Sequence, residues 1–495
     1  MAQSVFRLVA AGAVALGAIA TPARAQRAAP APDPYRTAME RADQQIADEV
    51  RAHSQLMQNL EYLTTQIGAR LTGSPQMQAA SAWTLQRFHD YGVDAHLETT
   101  EVPHAWTRGA DDAEITAPIT RRIGIRSMGW SKATDGAVSG PVVVVDASSP
   151  EDLAKYEGKL KGAIVLMGKP TPLNWVGDSA ASAYEAVIPF PKGVPAQNGG
   201  GFAVMQQLNA MIAKEGPAAV LRDSRKPDNL FNMGGAGRYE PSAFPSAFLT
   251  HEDYSLIYRL TQRGPVTMRV DLKGTFSPGP VPASITVAEI KGSEHPDERV
   301  IIGGHLDSWD LGQGAVDNGT GAMAVLEAAR TLKALGWTPK RTITFVLFTG
   351  EEEGGVGVQT FIKNHQAELG KISAVLIHDT GTGKVLSISM EDFWNTGPMF
   401  QESYTPLQEV YGLETPSTRF YGSSDHVAFQ RAGIPGYFCV QAPAHYGEAH
   451  HSQTDTFDKV IPDQINQGAA VLASWAWNVA SLPDLMPRLP VAAGR

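Results

Sequence analysis

The sequence predicts an α/β fold, a mixed and mostly parallel sheet with helices on both faces, into which a β-rich segment is inserted. Two observations predict the sheet. From about Ile285, short apolar runs alternate with helical stretches, an order that covers both faces of a sheet. The run 342–348, Thr-Ile-Thr-Phe-Val-Leu-Phe, is continuous enough to be a central strand. A third observation predicts the insert. Between 127 and 276 the strands are short, at 141–145 and 163–167. Gly, Pro and Asn are frequent over 189–237, and no metal-ligating cluster appears there.

Arg7 precedes an uncharged apolar run over 8–20, and Ala23-Arg24-Ala25 has the form of a cleavage site. Residues 1–25 therefore read as a signal peptide, and the run is too short for a permanent span. The Ala/Pro-rich stretch 26–34 reads as a linker. Residues 35–67 have helical periodicity, 71–74 form a turn, 76–91 form a second helix closed by Gly92, and 93–102 alternate as a strand. The main α/β unit is expected over 35–126 and 277–485, split by the insert 127–276. In its second part the pattern gives a strand at 299–302 and a helix at 321–335, with Thr320 as N-cap and Gly336 at its end. After the strand 342–348 come a helix at 357–369, a strand at 374–377 and a helix at 395–411. A strand at 437–440 and a helix at 462–480 follow.

The formal net charge is -10 over 495 residues. Such a surface repels phosphate backbones and anionic lipid, which excludes nucleic-acid and membrane-surface partners from the expectation. The signal makes the mature protein periplasmic or secreted. Cys439 is the only cysteine. It sits in an apolar strand and reads as a buried structural thiol, with no internal disulfide available.

The residues that carry chemistry lie at the ends of successive strands, where open α/β sheets gather ligands. The first strand runs into Gly303-Gly-His-Leu-Asp-Ser308, where Asp307 can hold His305 through its other ring nitrogen. Gly314-Ala-Val-Asp-Asn-Gly-Thr-Gly321 places Asp317 in a glycine-rich turn. Taken alone, Asp317 reads as a turn residue. Phe348-Thr-Gly-Glu-Glu-Glu-Gly-Gly355 puts three acids at the mouth of a buried strand, a costly arrangement without compensating charge. Asp379 follows the apolar run 374–377. His450-His-Ser-Gln-Thr-Asp-Thr456 adds two histidines and an aspartate. Ser423-Ser-Asp-His426 reads either as a helix-start cap or as a segment beside the site.

Together these motifs resemble the M28 family of metallopeptidases, most specifically over 303–321, 348–357 and 450–456. The insert resembles a protease-associated (PA) domain. The resemblance implies the zinc-exopeptidase, phosphorylase/hydrolase-like fold, hydrolysis of dipeptides or of the N-terminal residue of short peptides, and two Zn²⁺ per chain. It implies that His305 and Asp379 bind one zinc, that Glu352 and His451 bind the other, and that Asp317 bridges them. Glu351 is then the general base and Glu353 a non-ligand. The Asp317–Asn318 peptide is expected to be cis. Asp425 and His426 are expected near the site, while His450 stands where relatives place a substrate-facing aromatic. Homodimerisation is an expectation of the resemblance alone. Zinc favours His nitrogen and carboxylate oxygen. Three carboxylates and one hydroxide would balance two such ions in a sheltered cleft. Two other readings remain open: a catalytically inactive binding protein on the same fold, and a one-zinc enzyme like glutaminyl cyclase.

Overall fold

The computed structural model describes residues 34–173, 200–391, 393–417 and 419–488. The expected signal peptide and most of the linker lie outside them.

A seven-stranded sheet organises the larger unit, in the order Asp94–Val102, Val281–Ile290, Arg341–Phe348, His295–His305, Ile372–Ile377, Gly436–Gln441, Val385–Ser389. The four strands from Arg341–Phe348 to Gly436–Gln441 are parallel, and the outer ones pair antiparallel. The order turns on His295–His305, which has its sequence successors on opposite sides. That reversal opens a crevice at the carboxyl ends of the parallel strands.

Alternation along each strand feeds two separate cores. Ile343, Phe345 and Leu347 pack with the helices Thr320–Ala334 and Pro462–Ser481. Val346, Phe348 and Ile377 pack with Val358, Phe361 and Phe429 on the other face. Sequence period 2 thus becomes a sheet buried on both sides, which explains the unbroken apolar run 342–348. Cys439 is buried in the strand Gly436–Gln441, and burial raises its thiol pKa.

Several elements depart from the expectation. The helix foreseen over 35–67 is broken: Pro34–His53 ends, and Leu56–Glu61 begins a new axis. The Ser54 hydroxyl accepts the Leu56 N–H at 3.2 Å and donates to Asn466 at 2.8 Å, which replaces the helical pattern there. Thr320 does not cap its helix. Its hydroxyl donates back to the Val316 carbonyl, and the Asn318 side chain accepts the Gly321 N–H at 2.9 Å instead. The second sheet has eight strands and already includes Asp112–Ala117, Arg121–Arg122 and Ile125–Ser127. The boundary expected at 126/127 therefore falls inside it. Those strands are too short for periodicity to reveal.

Helix Pro34–His53 buries Asp43 against Pro462–Ser481. Only one carboxylate oxygen is satisfied, by Asn478 Nδ2 at 3.0 Å. Burial pushes this carboxyl up from 3.8 to about 7. Between those values the folded chain holds a proton that the unfolded chain releases, so stability falls as pH rises through the window. At about 1.4 kcal/mol per pH unit the loss approaches 4 kcal/mol. Asp43→Asn is expected to gain on the wild type progressively from pH 4 to pH 7 in urea unfolding. Parallel pH curves for the two proteins would contradict this.

Candidate active site

The crevice collects the sequence motifs. His305 ends its strand, Glu351 and Glu352 follow Phe348, Asp379 follows Ile377, and His451 lies in the loop beyond Gln441. His305 Nε2 is 3.0 Å from Asp379 Oδ1 and 3.5 Å from Asp317 Oδ1. His451 Nε2 is 2.8 Å from Glu352 Oε2 and 3.5 Å from Asp317 Oδ2. Asp317 thus offers one oxygen to each histidine. The Asp317–Asn318 peptide is cis.

Each side chain is held from its far side. His305 Nδ1 donates to the Asp307 backbone carbonyl at 3.1 Å, which leaves Nε2 facing two carboxylates. The Asp307 carboxylate was expected to hold that nitrogen, but it lies at 3.6 Å. It accepts the N–H groups of Glu351 and Glu352 instead, at 3.4 and 3.3 Å. Asp307 therefore shapes the acidic loop. Its sequence spacing pointed to the right neighbourhood and the wrong contact.

Electrostatics show what the donors lack. Burial alone would lower the His305 pKa, but the surrounding carboxylates, Asp379 first and then Asp307 and Asp317, raise it well above its ordinary value. Burial raises Glu351 well above the carboxylate range; His305 opposes this, while Asp379 and Glu352 add to it. Burial and Asp317 do the same to Glu352, whose Oε1 is buried without a partner. Burial holds His450 and His451 below their ordinary value, so both are neutral at pH 7 and able to present lone pairs. A cluster of carboxylates converging with imidazole nitrogens at these distances is the arrangement a cation stabilises.

His450 stacks on His451 at 3.8 Å, with Nε2 3.8 Å from Asp317 Oδ2. Donor geometry alone groups Asp317 with His450 and His451. Glu352 also reaches this group, with Oε2 2.8 Å from His451 Nε2 and its other oxygen sealed without a partner. Asp425 and His426 are both buried. Asp425 does not cap the helix His426–Arg431, and both of its oxygens lack partners. Burial and the Glu351 charge raise its pKa, which places it beside the acidic loop. His426 Nε2 donates to the Tyr421 carbonyl at 2.8 Å and lies 3.5 Å from Glu391, contacts that support the loop. Glu353 is buried with both oxygens unpartnered, and burial raises its pKa well above the carboxylate range.

Three supports take their role only from the fold. Arg70 is fully buried and donates to the carbonyls of Gly68, Leu306, Gln313 and Gly314 at 2.6–3.0 Å, which clamps the segment between His305 and Asp317. The Asp455 carboxylate accepts the N–H groups of Val316 and Asp317 at 2.5 and 3.2 Å. The insert is the third. Met233 N–H donates to the His451 carbonyl at 2.9 Å, Phe231 N–H donates to Gln453, and Lys226 Nζ donates to Gly447. His451 has a φ of 52°, a left-handed conformation that this grip helps to hold. The insert also roofs the cleft. Arg238 lies against the acidic loop, its Cζ 2.7 Å from where a Cβ on Gly354 would sit, and the φ of +100° there favours glycine.

Comparison with known proteins agrees with this geometry. The sequence profile of peptidase family M28 matches residues 286–476. Carboxypeptidase Q of Mus musculus is 30% identical over 445 residues, covering 87% of each chain. The chain belongs to peptidase family M28. It is therefore a metallopeptidase. The crystal structure of an M28 peptidase precursor from Shewanella amazonensis SB2B matches this M28 chain with a TM-score of 0.75 and 28% identity, covering 92% of this chain and all of that one. A zinc aminopeptidase from Bacillus subtilis shares the M28 fold with a TM-score of 0.62 at 18% identity, over 85% of this chain and 93% of its own. Among the described residues, no helix of this M28 peptidase is long and apolar enough to cross a membrane.

Proposed function

We propose that this M28 peptidase is a co-catalytic dizinc exopeptidase that splits dipeptides or removes the N-terminal residue of short peptides. The observation that carries the reading is the position of Asp317, with one oxygen 3.5 Å from His305 Nε2 and the other 3.5 Å from His451 Nε2. A carboxylate so placed is suited to bridge two ions, one held by His305 and Asp379 and the other by Glu352 and His451. The donor types suit zinc, and the partnerless Glu352 Oε1 is a buried acceptor that a cation would satisfy. When bound, zinc supplies Lewis acidity toward the scissile carbonyl and lowers the pKa of water. Glu351 accepts the proton of the attacking water and delivers it to the leaving amine nitrogen. His450 and Asp425 border this space and are assigned to substrate or to support of the loop. The cleft, about 510 Å³, suits a residue or two on either side of the cut bond.

The reading extends to an exported enzyme, periplasmic or secreted, with a PA-like insert, a small peptide as its partner and a homodimeric assembly. One relative is named a carboxypeptidase and one structural neighbour an aminopeptidase, so the terminus that is read needs its own test. A panel of di- to tetrapeptides with free and blocked ends provides it. Loss on blocking the amine alone means an aminopeptidase, and loss on blocking either end means a dipeptidase. Undiminished cleavage of peptides blocked at both ends would overturn the exopeptidase reading.

A further inference from the structure

The insert contains a second cavity of about 540 Å³, which meets the catalytic cleft only along the wall at Gly235. Its cations are not matched by its acids. Arg222, at the end of the strand Ala219–Asp223, lines the cavity with its Nε buried and without a partner. Burial lowers its pKa, and the charge that acts on it most is that of Arg225, a second cation on the same wall, which repels it. The acids nearby are engaged elsewhere. Asp223 faces His251 Nδ1 at 3.0 and 3.1 Å and accepts the N–H groups of Thr171 and Arg225. Asp146 pairs with Lys169 at 3.1 Å. Among the described residues neither guanidinium has an ion-pair partner. Arg222 is half-buried and Arg225 exposed; a half-buried guanidinium that keeps an unpartnered N–H and faces a second cation is stabilised when an anion joins it.

The rest of the wall defines the anion. Asn209 lines the cavity with its Oδ1 buried and without a partner, so it seeks an N–H donor. Met167, Phe244 and Phe248 supply apolar surface. We propose that this cavity binds the carboxyl end of an apolar peptide or N-acyl amino acid: carboxylate on Arg222 and Arg225, adjacent amide N–H on Asn209, side chain against the apolar wall. Arginine matches a planar carboxylate with paired donors, whereas phosphate offers no N–H for Asn209 and no apolar body. The site is separate from the zinc donors and does not depend on the dizinc reading.

Thermal unfolding of the full zinc-loaded enzyme tests it, with N-acetyl-leucine, N-acetyl-leucine amide and inorganic phosphate as probes. N-acetyl-leucine is expected to raise the wild-type Tm, and the amide and phosphate are not. Arg222→Met is expected to weaken N-acetyl-leucine at least about tenfold, as loss of a charged hydrogen bond does. It should leave kcat and KM for a dipeptide unchanged. An equal Tm shift in the variant would locate the ligand at the catalytic cleft and overturn the proposal. An equal shift with the amide, a shift with phosphate alone, or no shift would overturn it too. Should Arg222→Met fail to fold, Arg225→Met with the acid and amide pair gives the same decision.

Discussion

Replacing Glu351 with Gln is expected to lower kcat by about 10²–10⁴-fold while leaving bound metal and KM nearly unchanged. The substitution preserves shape and removes only the ability to take a proton. The loop should survive, because its backbone is held by Asp307 through the N–H groups of residues 351 and 352, not by the Glu351 carboxylate. Glu351 lines the same cleft as Asp317, Glu352, Asp379 and His451. Metal analysis alongside steady-state kinetics separates the outcomes. A rate close to wild type would remove Glu351 from the reaction, and a loss of metal would make it a ligand.

Asp317→Ala is expected to reduce bound zinc to one ion or fewer and to lower turnover at least about 100-fold, because two donor sets share this one carboxylate. The turn itself has other supports. Asp455 holds the N–H groups of residues 316 and 317, and the Asn318 side chain caps the next helix and donates to the His378 carbonyl at 2.8 Å. The fold should therefore persist, so circular dichroism and zinc content distinguish loss of a ligand from loss of structure. Full zinc content in this variant would mean that the ions are held apart and not bridged.

The candidate donors His305, Glu352 and Asp379 were legible because each follows an apolar strand, and successive parallel strands bring their ends to one crevice, whereas Asp317 and His451 took their assignment from the family resemblance. The clamp around them was not legible. Arg70 meets carbonyls 236–244 residues away, and nothing near it in the chain announces that role. Asp455 stood in view in the loop of His451, but its work on the Asp317 backbone depends on a contact across 138 residues. Asp307 lay beside the expected histidine, yet the backbone carbonyl took the contact assigned to its carboxylate. The insert looked like an appendage without ligands. Its loop instead grips the segment that carries His451, because hydrogen bonds made by Met233, Phe231 and Lys226 leave no periodicity to read.

Zinc content and activity measured on one sample test the central claim most directly. The metal-free enzyme is titrated with zinc, and bound metal and kcat are read at each step. The geometry around Asp317 predicts two ions per chain, with activity rising until the second is bound. Saturation at one zinc per chain with full activity would contradict it.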